Sequence, residues 1–376
     1  MQIAPPSSSR FDQWPAWQRA ATLAITVLGI CLVLFLVAEA GLRIRALLRY
    51  GQVWSVEQTY AYDEASGLRV PTPGGRFGPI SINSLGFRGP EITEKKPPGR
   101  LRIAFLGGST TYCAEVSSNE MTWPHLVWKS LHDHWPGLDL DYINAGVPGS
   151  TTPSLLRAVE RRVARLDPDI IVIYEAVNDL AMNVRQLAID QGISSVETVE
   201  RGRNDIGWLA RHSLLARLIR ANLRFALVRG IATGSSGKVT LDTARLDAEF
   251  RRDYTNLVEA SAKIAKVVVT VTFASRLRAQ QSPKEKEEIA VGFIKMPYIT
   301  IDDIITVFAH YNQVIREIAD VHQTVLVGGE ETIPPDRLHY ADEVHFADAG
   351  SIAMAHRVVE ALISSAALQA LVESRS

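Results

Sequence analysis

Several segments of the chain are apolar at nearly every position and have the length of a single β-strand. They read LRIAFLG at residues 101–107, DIIVIYEA at 169–176 and KVVVTVTF at 266–273. A strand that faces water on one side alternates apolar and polar residues, whereas a strand covered on both faces is mostly apolar. Between these segments lie stretches with helical periodicity, such as 123–134 and 301–319. The pattern predicts an α/β fold in which helices cover both faces of a parallel sheet.

The rest of the α/β region continues the same alternation. Two further strands are predicted at 138–145 and 324–329, and further helices at 153–166, 241–265 and 349–371. Folds of this kind bind ligands beyond the carboxyl ends of the parallel strands. Candidate functional residues are therefore those that directly follow a predicted strand.

An uncharged segment near the N-terminus predicts a membrane span. The nineteen residues from Ala20 to Ala38 carry no charge, and a transmembrane helix needs ~20 apolar residues. Trp14 and Trp17 precede the segment, at the place where tryptophan suits a membrane interface. A cleaved signal peptide is the alternative, but the segment is long for its apolar region and no clear small-residue cleavage site follows. We therefore predict one uncleaved transmembrane helix.

The charges beside this segment say little about its orientation. Arg43, Arg45 and Arg49 follow it, whereas Arg10 and Arg19 precede it. Taken alone, this count places the large domain in the cytoplasm, but the margin is one arginine and large domains can translocate regardless of flanking charge.

Composition along the chain predicts four parts. They are a polar tail, a membrane helix with its extension, an arm rich in Gly and Pro, and an α/β domain with an insertion. Their residues are 1–19, 20–50, 51–100 and 101–376, with the insertion at about 180–240. In the arm, Arg88 is expected to be a surface salt-bridge partner, with a contact to the functional site as the alternative.

Two charged segments inside the α/β domain leave alternatives open. Residues 214–228 interleave leucines with arginines, which is typical of a helix on an anionic membrane surface, but also of a helix packed on the domain with its arginines in water. Residues 282–288, SPKEKEE, are expected to form an exposed loop, a candidate lid over the site.

Charge, histidine and cysteine counts exclude several classes of function. The 40 basic side chains balance 41 acidic ones, so no bulk charge favours nucleic acid as a partner. Cys31 lies in the apolar segment and cannot form a disulfide framework with Cys113. The nine histidines show no metal-ligand spacing, and no metal or cofactor is expected.

Five residues after predicted strands or near the C-terminus fit one reaction. Ser109 offers a hydroxyl, Gly149 a backbone N–H that a ligand can approach closely, and Asn178 an amide that can donate to an oxyanion. Asp342 and His345 are three residues apart, so that a curled loop lets the carboxylate orient the imidazole toward the serine. Each has a simpler explanation alone, as a cap, turn or loop residue. Their joint occurrence at successive strand ends favours one site.

These motifs resemble those of the SGNH hydrolase superfamily, also called GDSL-like esterases. The matching pieces are GGST around Ser109, NAGVPG ending in Gly149, VND around Asn178 and DEVH ending in His345. The resemblance covers roughly residues 101–371.

The resemblance implies a fold and a set of roles. The fold is a three-layer α/β/α sandwich on a parallel, flavodoxin-like sheet. The nucleophile is Ser109, the base is His345 and the acid that orients it is Asp342. The oxyanion donors are the N–H groups of Ser109 and Gly149 and the side chain of Asn178. No cofactor is implied.

The chain departs from the family pattern at one place, because the aspartate that usually precedes the serine is Gly108 here. The arm with INSLGFRGPE at 82–91 is similar to that of membrane-anchored bacterial members. This similarity implies an anchor in the bacterial inner membrane with the catalytic domain outside the cytoplasm.

The sequence therefore predicts a membrane-anchored serine esterase, with an O-acylated envelope glycan as a candidate substrate. Two alternatives stay open. One is an acyltransferase with the same triad that moves the acyl group onto a glycan. The other is a noncatalytic envelope-binding protein that retains the fold.

Overall fold

A computed structural model describes residues 14–50, 59–64, 66–195, 208–220, 222–223, 237–289 and 296–375. The chain divides into two compact units. One comprises Met1–Ser55 and Ile206–Asn222, and the other comprises Val56–Asp205 and Leu223–Ser376. Residues 1–13 of the predicted tail, the start of the arm at 51–58 and parts of the insertion at 196–207 and 224–236 lie outside the described residues.

The helices of the described chain include α1 (Ala16–Tyr50), α2 (Ser109–Tyr112), α3 (Trp123–His134), α4 (Thr152–Ala158), α5 (Val177–Asp190), α6 (Trp208–His212), α7 (Thr243–Ala262), α8 (Pro283–Ile289), α9 (Ile301–Val321), α10 (Asp348–Ile363) and α11 (Ala366–Glu373). The strands are β1 (Tyr60–Asp63), β2 (Leu68–Pro71), β3 (Arg76–Phe77), β4 (Ile80–Ser81), β5 (Leu101–Gly107), β6 (Leu140–Asn144), β7 (Ile170–Tyr174), β8 (Val267–Val271) and β9 (Val325–Val327). The arm contributes two small antiparallel hairpins, β1–β2 and β3–β4.

Helix α1 is the main element of the first unit. It has 35 residues, which at about 1.5 Å per residue exceeds the ~30 Å of a bilayer's hydrocarbon core. An 18-residue window within Ala16–Leu48 has a mean hydropathy of 2.8, and none of that window is buried. By length and composition the helix fits a membrane span or a signal sequence.

The second piece of this unit begins with α6 and bonds to α1 through Glu39. The Glu39 carboxylate accepts hydrogen bonds from the Ser213 hydroxyl at 2.8 Å and from the N–H groups of Leu214 and Leu215 at 3.1 and 2.8 Å. Residues 214–220 are helical, so the carboxylate satisfies N–H groups that the first turn of a helix leaves unpaired. The exposed apolar side chains of this piece include Trp208, Leu209, Leu218 and Ile219.

The second unit is built on a five-stranded parallel sheet in the order β6-β5-β7-β8-β9. Strands β5, β7 and β8 are buried at every position, as their apolar sequences predicted. The chain moves from β5 to one neighbour, β6, and then returns past β5 to β7. This reversal opens a crevice at the carboxyl ends of β5 and β7, where folds of this type bind ligands.

Helices cover the sheet and complete the predicted three-layer α/β/α sandwich. On the described chain, α3 packs with α10, while α7 packs with both α4 and α9. The core between sheet and helices is closely packed around Trp123, whose ring meets Phe105 edge-on at 5.1 Å and Tyr174 at 5.9 Å. The predicted fold class is confirmed.

Two predicted helices differ in detail from the observed ones. The helix expected at 153–166 begins as α4 but continues as a π turn over Val159–Val163. The final helix, expected at 349–371, is broken into α10 and α11, which meet at 70°. Ser365 lies at the break and accepts a hydrogen bond from the N–H of Leu368, so it caps a new helix instead of continuing the old one.

Two further segments take helical form where the sequence suggested loops or an insertion. Helix α5 follows β7 directly and occupies the first part of the segment 180–240. The SPKEKEE segment contains most of α8, where Ser282 caps the helix and accepts a hydrogen bond from the N–H of Glu285.

Arg88 is not at the surface, contrary to the expectation from sequence. Its side chain is 1% exposed and donates hydrogen bonds to the backbone carbonyls of Tyr112, Cys113 and Ser118 and to Asn119 Oδ1. The Tyr112 and Cys113 carbonyls lie at the end of the short helix α2 and have no partners within it. The arm therefore holds the end of α2 by a buried guanidinium.

We expect Arg88→Ala to lower the free energy of unfolding by about 3 kcal/mol or more, because it removes a buried side chain and leaves the buried Tyr112 carbonyl without a donor. Urea unfolding of the full chain in detergent measures the change. Lys95→Ala, an exposed cation of the same arm, is the matched control and should stay within about 0.5 kcal/mol of the parent chain. Equal midpoints for the two variants would show that the buried contacts contribute little.

Candidate active site

Ser109 lies at the junction between β5 and α2. Strand β5 ends at Gly107, and the serine is the first residue of the helix. Its side chain is half-buried, at the crevice between β5 and β7. Cys113 ends α2 in the left-handed conformation, with φ of 58°. Burial raises the pKa of the Cys113 thiol to about 12, so this neighbouring group stays protonated, and the hydroxyl is the candidate nucleophile.

The loop that carries His345 is curled by Asp342. One carboxylate oxygen, Oδ1, accepts the N–H groups of Val344 and His345 at 3.0 and 2.8 Å. The other, Oδ2, lies 2.6 Å from His345 Nδ1. A fourth bond closes the loop, since the N–H of Ala341 donates to the carbonyl of His345 at 2.8 Å. The spacing of three residues thus lets one carboxylate shape the loop and orient the imidazole.

A glycine seats this loop on the following helix. Gly350 lies in the first turn of α10, and a Cβ there would collide with the backbone carbonyl of His339. Tyr340 and Phe346 form an isolated antiparallel bridge on either side of the loop. The close approach that only glycine allows keeps the Asp342–His345 loop against α10.

The structure brings Ser109 and His345 together across 236 residues of sequence. His345 Nε2 lies 2.7 Å from Ser109 Oγ. The imidazole is 17% exposed and the Asp342 carboxylate 38% exposed. Serine, histidine and aspartate therefore form a continuous hydrogen-bonded chain at the edge of the crevice, with the geometry needed to move a proton from the hydroxyl to the imidazole.

The charges around His345 favour that proton transfer. Burial lowers its pKa, but the hydrogen bond from Nδ1 to Asp342 and the charges of Glu115 and Asp342 together hold the pKa above its ordinary value. Burial alone would raise the pKa of Asp342, but the hydrogen bond and charge of His345 keep it below its usual range. An ionised Asp342 beside Nδ1 is thus placed to stabilise a positive charge on the His345 imidazole.

Three hydrogen-bond donors near the predicted site have no partner among the described residues. The side-chain Nδ2 of Asn178, in the first turn of α5, is buried without an acceptor. The backbone N–H groups of Ser109 and Gly149 also donate to no described group. Gly149 lies in the turn after β6 with φ of 85°, and nothing lies within 4 Å of its Cβ position. Unpaired donors at the mouth of a sheet are suited to a carbonyl oxygen that becomes negatively charged.

Two buried carboxyls behind Asn178 were not identified from the sequence. Glu175 and Asp179 are 0% and 4% exposed. Asp179 accepts the N–H and hydroxyl of Thr152 at 3.1 and 2.7 Å, which ties the start of α5 to the segment just after Gly149. Burial raises the pKa of both carboxyls. The sequence does contain a signal for Glu175, because this acid directly follows an otherwise apolar strand in the segment IVIYE.

The chain matches a known protein family over most of its length. The model of the GDSL-like Lipase/Acylhydrolase family matches residues 105–351, which include the serine and the Asp-x-x-His loop. No curated protein matches the sequence significantly.

Among solved structures, the chain is similar to an α/β hydrolase enzyme from the metagenome of Lake Arreo in Spain, with 14% identity, a TM-score of 0.41, and coverage of 72% of this chain and 96% of that one. It is also similar to a variant of an acetyl xylan esterase from Geobacillus stearothermophilus, with 16% identity, a TM-score of 0.40, and coverage of 72% and 95%. A lipase/acylhydrolase from Enterococcus faecalis has 16% identity and a TM-score of 0.40, with coverage of 69% and 94%.

Proposed function

Because the chain belongs to the GDSL-like lipase/acylhydrolase family of the SGNH hydrolase superfamily, we propose that it hydrolyses a carboxylic ester with Ser109, His345 and Asp342 as its catalytic triad. The observation that carries this proposal is the hydrogen-bonded chain from Ser109 Oγ through His345 to Asp342, with contacts of 2.7 and 2.6 Å.

The reaction follows from that geometry. Ser109 Oγ attacks the ester carbonyl while His345 Nε2 takes its proton, and the carbonyl oxygen becomes an oxyanion. The N–H groups of Ser109 and Gly149 and the amide of Asn178 stabilise that oxygen. The alcohol leaves with the proton from His345, and an acyl group remains on Ser109. A water molecule then gives a proton to His345 and attacks the acyl carbon, which releases the acid and restores the hydroxyl.

Covalent labelling tests the nucleophile directly. A fluorophosphonate probe should label the full-length protein in detergent, and mass spectrometry should place the adduct on Ser109. Ser117→Ala, which removes an exposed hydroxyl from the following loop, should label like the parent chain, whereas Ser109→Ala should not. A parent chain that resists labelling, or one labelled elsewhere, would contradict the proposal and favour a binding protein that only retains the fold.

The pH dependence of the reaction should reflect the raised pKa of His345. The imidazole must be neutral to accept the proton, so kcat/KM should rise with pH through a pKa above 6.5, the ordinary value for histidine. Glu115 is exposed, and its charge raises that pKa. We therefore expect Glu115→Gln to move the acid limb toward lower pH in a stopped-flow or plate assay with p-nitrophenyl acetate.

Glu120→Gln is the matched control for this profile, because Glu120 is an exposed carboxylate of the same loop whose charge is not among the main causes of the raised pKa of His345. It should leave the acid limb in place. If the acid limb moved equally in both variants, or stayed in place in Glu115→Gln, it would not reflect the ionisation of His345.

We also propose that α1 anchors the enzyme in the inner membrane and that the hydrolase domain lies outside the cytoplasm. The uncharged length of the helix supports the anchor, and so does the bonding of Glu39, directly after the uncharged segment, to a second helical piece. Protease added to intact spheroplasts should then digest the C-terminal domain. Protection of that domain would indicate the opposite orientation, and an N-terminus that begins after residue 38 would indicate a cleaved signal peptide.

For a tethered enzyme of this orientation, an O-acylated envelope glycan is the substrate class that we propose. The full-length protein should release free acid from such a glycan in the presence of water alone. Accumulation of a newly acylated glycan from a small acyl donor, in place of free acid, would instead show that the acyl group is transferred.

A further inference from the structure

The backbone of Gly108, directly before the serine, faces the side chains of Glu175 and Asn178. A Cβ at position 108 would collide with Glu175 Oε2 and would lie 2.5 Å from Asn178 Nδ2. Both atoms therefore adjoin the small volume that the absent side chain leaves free. In the family pattern, the residue before the serine is usually an aspartate with its own carboxyl group. In this chain that residue is Gly108, and the carboxyl group beside it belongs to Glu175, which follows β7.

The two oxygens of Glu175 have different surroundings. Oε1 accepts the backbone N–H groups of Ala176 and Asn178 at 3.1 and 2.9 Å. Oε2 is buried and has no conventional partner among the described residues, and the same holds for Asn178 Nδ2. The carboxyl is thus fixed by one oxygen and presents the other beside the amide.

An amide group has two chemically different ends, and the neighbouring group decides which end faces the site. Its nitrogen carries two N–H donors, whereas its oxygen is only an acceptor. If one N–H points to a carboxylate oxygen, the second N–H remains available for an oxyanion. If the amide were rotated by half a turn, its oxygen would face the developing negative charge and destabilise it.

Packing alone does not explain a carboxyl group at the buried position of Glu175, because its burial lowers the stability of the fold. Burial raises the pKa of its carboxyl, and the charge of Asp179 raises it further, while the N–H groups around it act in the opposite direction. A buried carboxyl without sufficient donors destabilises a fold, and an apolar side chain of similar size would avoid this cost. A role in the site accounts for an acid at this position.

We propose that Glu175 is a positioning residue that holds the side-chain amide of Asn178 with an N–H toward the oxyanion, and that Gly108 leaves the space this arrangement needs. The inference rests on the proposed function of Asn178 as an oxyanion donor. Glu175 itself touches neither the ester nor the reacting atoms, and it acts through Asn178.

Glu175→Gln separates this role from packing, because it preserves the shape and the oxygen that accepts two backbone N–H groups. It replaces Oε2 with an N–H donor, which repels the amide nitrogen of Asn178 and favours the rotated amide. The comparison is made above the raised pKa of Glu175, where the parent carboxyl is ionised. We expect kcat for p-nitrophenyl acetate to fall about tenfold or more, with KM within about twofold and the melting temperature little changed. Glu330→Gln, which changes a carboxylate paired with Arg316 outside the site, should leave kcat unchanged.

A double-mutant cycle shows whether the effect passes through Asn178. Asn178→Ala should lower kcat about 10²-fold, and adding Glu175→Gln to it should cost nothing further, because the amide to be positioned is gone. If the two substitutions lowered kcat independently, so that their fold-losses multiplied in the double variant, the proposal would be overturned. A Glu175→Gln variant with the parent's kcat would also overturn it. If Glu175→Gln does not fold, Glu175→Asp serves in the same cycle, because the shorter side chain withdraws Oε2 from the amide.

The same variants distinguish failure of the positioning role of Glu175 from failure of the esterase mechanism. Loss of activity in Ser109→Ala and in Asn178→Ala, together with unaffected Glu175 variants, would leave the esterase mechanism in place and remove only the positioning role. If Asn178→Ala instead kept the parent's kcat, Asn178 would not be an oxyanion donor, and the positioning role of Glu175 would be ruled out with it.

Discussion

Replacing Ser109 by alanine should lower kcat for ester hydrolysis by about 10³-fold or more while the protein remains folded. In the proposed mechanism the Ser109 oxygen forms the acyl intermediate, and the nearby Cys113 thiol cannot replace it because that thiol is buried and protonated. The residual rate would come from substrate held near the oxyanion donors and attacked by water. Release of p-nitrophenol by the full-length chain measures the effect.

Ser117→Ala is the control, because it removes a hydroxyl from an exposed residue eight positions further along. It should retain the parent kcat. Melting curves of both variants should overlap with that of the parent, since Ser109 Oγ bonds only to His345 among the described residues. Equal hydrolysis by Ser109→Ala and the parent chain would assign the nucleophile to another residue.

Replacing Asp342 by asparagine should lower kcat by up to about 10⁴-fold, the order found when the acid of such a triad is lost. The asparagine Oδ1 can still accept the N–H groups of Val344 and His345, so the loop keeps its curl. Its amide nitrogen, however, would face His345 Nδ1 at the 2.6 Å contact that the carboxylate now makes. Nδ1 would then act as acceptor, the proton would move to Nε2, and the imidazole could not accept a proton from Ser109.

The chain provides a matched control for this variant in a second Asp-x-x-His pair. Asp336 Oδ1 lies 2.8 Å from His339 Nδ1 and also accepts the His339 N–H. His339 is not bonded to the serine, so Asp336→Asn should leave kcat unchanged. A similar loss of activity in Asp336→Asn and Asp342→Asn would point to a general effect on the loop and not to the tautomer of His345.

Much of the fold could be predicted because it depends on local properties of the sequence. Uniformly apolar strands such as 101–107 and 169–176 indicated burial on both faces, and the helical periodicity between them indicated the covering layers. The glycines and serine after the first strand, together with the Asp-x-x-His spacing, identified candidate residues for one reaction. The uncharged segment 20–38 similarly indicated a single membrane-type helix from its length alone.

Other features depend on contacts between distant parts of the chain and could not be predicted from local patterns. The motif Asp-x-x-His occurs twice, at 336–339 and 342–345, with nearly the same internal geometry. Packing of the second loop on α10 and the sheet is what brings His345, but not His339, within 2.7 Å of Ser109. Arg88 looked like a surface cation, since nothing adjacent in sequence reveals the carbonyl groups that surround it in the core.

By itself the sequence therefore determined the layers of the domain, the strand ends at which chemistry can occur and the residue types available there. Only the tertiary structure decided which side chains meet: Ser109 with His345, Arg88 with the end of α2, and Glu175 with the space beside Gly108. The physical reason is that burial and periodicity are recorded in neighbouring residues, whereas hydrogen bonds between remote residues depend on the register and packing of whole strands and helices.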